Sequence, residues 1–131
     1  MPSSKLKSKL FIIHAGTYPY DIVCFFGDDK KPLLQKIKYS LTASEYVEVA
    51  DATIKHGRVY IFQSGVSLLW LPKVPKTIEE LGHLNHEIFH AVDEILRRIG
   101  IELTGSSCEA YAYLLEYVSV KIWSELKINI K

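Results

Sequence analysis

"TIEELGHLNHEIFHAVDEILRRIG", residues 77–100, decides how the rest of the chain is read. Leu84, Ile88, Ala91, Val92, Ile95 and Ile99 recur at helical spacing, forming one apolar stripe that faces a core. Thr77-Ile-Glu-Glu80 has the spacing of a capping box, and Arg97, Arg98 and Gly100 mark the far end. His86, Glu87 and His90 lie off the stripe. Histidines four apart project from one side of a helix, with Cβ atoms about 5–6 Å apart, so both rings can converge on one cation. Glu87 can then reach a water on that cation without being a ligand. The competing reading is two ordinary histidines on a solvated helix face.

A catalytic zinc takes three protein ligands and keeps one position open. The third-ligand candidate is Glu109, in "SSCEAYAYLLEY" (106–117), with eighteen residues between it and His90. A short antiparallel helix return would carry its carboxylate back over the histidine face. Ser106-Ser-Cys-Glu109 is also a capping box in its own right, which would tie Glu109 to the Ser106 backbone instead. Glu116 and His83 are further ligand candidates. His83 shares the histidine side of the helix, as a cleft wall, an occupant of the open position, or a residue in water. Asp93, three after His90, is a candidate to orient the second ring nitrogen of that histidine, or is an exposed charge. Tyr113, four after Glu109, is the candidate hydroxyl near the ion, against a packing role. Cys108 reads as a semi-buried thiol at a helix start. Nothing ties His14 or His56 to the site.

"HEIFH", eighteen residues, then "EAYAY" resembles the gluzincin metallopeptidases, and in detail the small zincin-like proteins encoded by bacteriophages and prophages. The resemblance covers about residues 77–122. It implies an α+β, minimal zincin-like fold: a small, mostly antiparallel twisted sheet, an active-site helix, and a C-terminal helix carrying the third ligand. It also implies that the strand before the active-site helix, Val66 to Leu71, offers a sheet edge to an extended peptide. The second subdomain and the transition-state donors of full-sized members have no counterpart here. The "EAYAYLL" helix is similar to that of small metallopeptidases that cleave phage repressors, which implies a specific protein target.

Outward from the motif, "KLFIIHAG" (9–16) and "YDIVCFFG" (20–27) read as strands joined by a tight turn. Asp28 or Asp29 then caps a short helix with Pro32 in its first turn. Thr42-Ala-Ser-Glu45 opens another helix that closes near Lys55, with Gly57 just past it. Arg58 to Phe62 and Val66 to Leu71 form a hairpin turning at Ser64-Gly65 and stopped by Pro72. The last helix runs from about Ser107 to Leu126, with Tyr111, Leu115, Val118 and Ile122 inward.

The 131 residues are 48% hydrophobic and 24% charged, which describes one globular domain over 9–131 after a tail at 1–8. A net charge of +1 gives no nucleic-acid footprint. No apolar run is long enough for a bilayer or a signal-peptide core, and the two cysteines suit a reducing compartment. The expected location is the cytoplasm, that of the host if the gene is carried by a phage. The expected activity is hydrolysis of a peptide bond in a specific protein target. Zn²⁺ lowers the pKa of its water to about 7, and Glu87 takes the proton as that water attacks the carbonyl carbon. The alternative is a catalytically weak or inactive metal-binding accessory protein that acts by binding another protein.

Overall fold

The computed structural model describes residues 8–128, so the tail read at 1–8 lies, but for Ser8, outside the described residues. The protein is α+β. Strands β1 (Lys9–His14) and β2 (Asp21–Phe26) form an antiparallel hairpin. Helices α1 (Lys31–Ile37) and α2 (Ala43–Asp51) follow, separated by one 3-10 turn. A second antiparallel hairpin, β3 (Arg58–Ile61) and β4 (Ser67–Leu71), leads into α3 (Ile78–Arg98) and α4 (Cys108–Leu126).

The two hairpins join through a parallel pairing of β2 with β4, giving the order β1-β2-β4-β3. On one face Ile22, Cys24, Phe26, Leu69 and Leu71 pack against Leu84, Ile88, Ala91 and Val92 of α3 and Tyr111, Val118 and Ile122 of α4. On the other, Val23, Phe25, Leu68 and Trp70 pack against Leu33, Ile37 and Val49 of α1 and α2. Covered on both faces, β2 and β4 carry unbroken apolar runs in place of alternation.

This arrangement corrects one expectation. Val66 to Leu71 is not an edge: β4 is hydrogen-bonded on both sides, and all five of its residues are buried. The sheet edge beside α3 belongs to β3 instead. The second helix also ends earlier than expected, at Asp51. Ala52 turns extended, and the Lys30 ammonium takes the carbonyls of Val49, Ala50 and Ala52, satisfying groups that another turn of helix would have used. Neither aspartate caps α1 as its N-cap residue, which is Lys30; Asp29 accepts from the Lys31 N–H at 3.1 Å.

Both capping boxes expected upstream of α2 and α3 form, with Thr42 and Glu45, and with Thr77 and Glu80. The Lys73 ammonium at 2.5 Å, with the N–H groups of Lys76 and Thr77, holds the Glu80 carboxyl down at about 2 against an ordinary 4.5. The folded chain therefore binds that proton less tightly than the unfolded one. Its contribution to stability is complete above about pH 4.5 and is lost as pH falls toward 2. Melting temperatures measured across that range should fall, and fall less steeply in Glu80→Gln. An identical slope in the variant would exclude the α3 cap as a source of the acid sensitivity.

Candidate metal centre

Helix α3 turns its apolar stripe to the sheet and leaves His86 and His90 exposed on the opposite side. Their Nε2 atoms stand 3.1 Å apart, with the rings edge to face at 76°. Two nitrogens on a tetrahedral zinc at about 2.0–2.1 Å are separated by about 3.3 Å, so the pair is already spaced as a chelate. As a neutral pair, one ring would donate to the other.

Glu87 lies on the side of the helix nearer β3, in a cleft that His90 also lines, and is 8% exposed. Among the described residues no donor hydrogen-bonds its carboxylate. The reason it fits there is Gly57. A Cβ at that position would sit 2.9 Å from Glu87 Cγ and 3.2 Å from Leu71 Cγ, so only glycine lets the chain pass so close to the helix. Read from sequence alone, Gly57 looks like a helix terminator; its place in the structure is the floor beside the Glu87 carboxylate. From there a cleft of about 320 Å³ opens between Gly57, Val59 and Ile61 on one side and Glu87, His90 and Glu94 on the other.

Helix α4 returns antiparallel along α3: Tyr111 donates to Asp93 at 2.9 Å, while Trp123 shares a groove with Asn85. That register locates the downstream candidates. Tyr111 is level with Asp93, so Glu109 stands past Asp93, on the side away from His90. Glu109 is exposed, and its capping-box alternative is not made. Ser107 instead bonds to the Glu102 carbonyl and accepts from the Thr104 N–H, closing the turn ahead of α4. No contact between Glu109 and either imidazole occurs among the described residues, and no three His, Cys, Asp or Glu side chains gather there as a metal site. Glu116 lies nearer the level of the pair, in the groove with Asn85 and Phe89.

Asp93 is engaged by Tyr111 and, at 3.8 Å, by Arg97, and has no hydrogen bond to His90 among the described residues. Tyr113 is 67% exposed and borders a different groove, with Gly16 and Thr17. Phe89 links the pair to α4, its ring centroid 6.4 Å from those of both His90 and Tyr111. His83 stacks on His56 with centroids 4.3 Å apart. His56, which sequence reasoning left aside, is thereby placed one turn from the histidine pair. It enters through the connection after α2, whose path no local pattern marks.

Compared with known proteins, the chain matches no family model, no curated protein and no solved structure. No helix among the described residues is long and apolar enough to cross a membrane.

Proposed function

We propose that the protein is a zinc-dependent peptidase that hydrolyses a peptide bond in a protein substrate, with His86 and His90 as ligands and Glu87 as general base. The observation that carries this reading is the 3.1 Å approach of the two Nε2 atoms beside a sheltered carboxylate one residue away. Two imidazoles suit zinc, and Glu109 is the proposed third ligand; it stands beyond Asp93 in this structure and would reach the pair only if the start of α4 moves toward His90. A zinc ion bound there supplies Lewis acidity, polarising a carbonyl and acidifying a water. The protein's own residues do the rest. Glu87, held between α3 and Gly57, accepts the proton from that water and returns it to the leaving amine. The outer edge of β3 has no strand partner among the described residues and borders the same cleft. An extended peptide added along that edge would run past Glu87 and His90, with its main chain satisfied by the N–H and C=O groups of β3. Tyr113, on α4, keeps its proposed supporting role only if that helix and its turn shift toward the pair when metal binds, whereas the proposed roles of Asp93 and His83 rest on their place on α3 beside the histidines.

A second reading, a metal-binding protein that engages a partner without cutting it, draws on the exposed position of Glu109, which leaves the site with two donors in place. One experiment separates the two. Protein purified without a metal-affinity tag should contain about one zinc per chain by elemental analysis. His86→Ala should weaken zinc at least about 100-fold, since even outer-shell partners are worth 10–100-fold. Chelator-sensitive cleavage of a casein-like substrate supports the peptidase, and zinc without cleavage supports the binding protein. Wild-type protein that takes up no zinc would defeat both.

A further inference from the structure

We propose that the outer face of α4 is a dimer interface that takes a second copy of this chain, with the two α4 helices parallel. Helix α4 buries Tyr111, Leu114, Val118, Ile122 and Leu126. A surface helix ordinarily carries polar residues on its opposite side. Here that side presents Tyr113, Tyr117 and Val120, which are 67%, 40% and 51% exposed, followed by exposed Ser124. The four succeed one another at intervals of four, three and four residues, the spacing of a coiled-coil seam. Glu116 and Val120 form a ridge with an apolar groove on each side. One groove, about 680 Å³, lies against the Gly16–Tyr18 turn, and the other, about 420 Å³, against Asn85 and Phe89. A two-fold interface needs one patch to serve as both knob and hole, and a ridge between two grooves meets that need.

The charges select the occupant and its direction. With Tyr117 and Ser124 at a positions and Tyr113 and Val120 at d, Glu116 falls at g and Lys121 at the following e. In parallel helices, g of one faces the e five residues on in the other. Glu116 therefore meets Lys121 of the partner subunit, and the two-fold axis makes the pair twice. An antiparallel arrangement would set g against g, bringing the two glutamates together. Among the described residues Glu116 has no ion pair within its own chain, and Lys121 lies only over the Tyr117 ring, at 5.4 Å.

Sedimentation of the full chain over a wide concentration range tests the proposal. The expected species has twice the 15.0 kDa chain mass. Glu116→Lys should raise the dimer dissociation constant by about tenfold or more, and Glu116→Lys combined with Lys121→Glu should restore it. Val120→Glu should give a monomer with an unchanged circular dichroism spectrum. A wild-type monomer at every concentration overturns the proposal. So does a dimer indifferent to Glu116→Lys and Val120→Glu, or a charge swap that fails to restore association.

Discussion

Glu87→Gln is expected to reduce peptide hydrolysis about 10²- to 10⁴-fold, the usual contribution of a positioned general base, while the protein keeps its zinc. The substitution is nearly isosteric, so the approach of Gly57 and Leu71 to the Glu87 stem is preserved. What disappears is the capacity to accept a proton. His90 lines the same cleft as Glu87, but no hydrogen bond joins the Glu87 carboxylate to either imidazole among the described residues, so the Nε2 spacing of the pair is expected to survive the substitution. Two assays on one preparation give the answer: metal content by elemental analysis and initial rates on a peptide substrate. Glutamine at 87 with undiminished turnover would remove the residue as the base. Lost zinc together with lost turnover would make it a metal-site residue of another kind.

Ile88→Ala is expected to cost about 2–5 kcal/mol of folding stability, the range for emptying a filled core position. Ile88 is fully buried between α3 and the sheet, one residue from Glu87 on the same helix. The cavity would open beneath α3, within the core that the helix shares with the sheet, away from the histidines. The folded fraction should therefore bind zinc as the parent does, although urea unfolds the variant at much lower concentration. A denaturation midpoint close to the parent value would mean that Ile88 is not packed as the structure places it. The two substitutions, one residue apart, separate what the helix does for the core from what it does for chemistry.

Helix α3 was legible because two independent signals agree there: a capping box at Thr77 and an apolar stripe whose gaps hold His86, Glu87 and His90. The strands were legible as strands, but their order was not, because pairing between hairpins is a long-range choice. The run "SLLWL" did hold a clue, since an edge strand exposed on one face alternates and this one does not. The position of Glu109 was illegible for a different reason. A count of eighteen residues does not fix how far one helix slides along another; the Tyr111–Asp93 hydrogen bond and the serine-rich turn before α4 set that. Gly57 and His56 reach α3 through an irregular connection, where spacing carries no information about proximity.

The parallel seam between β2 and β4 bears on how the chain finds its shape. Each hairpin closes over a handful of residues, whereas Ile22 and Ser67 are 45 positions apart and must come together with two helices already looped out between them. Closing so long an arc is slow compared with zipping a local turn. On loop-closure grounds the two hairpins are expected to form before the parallel pairing that joins them. Until that pairing is made, α3 rests on the β3–β4 hairpin alone, without Ile22, Cys24 and Phe26 of β2 to complete the apolar floor beneath the helix.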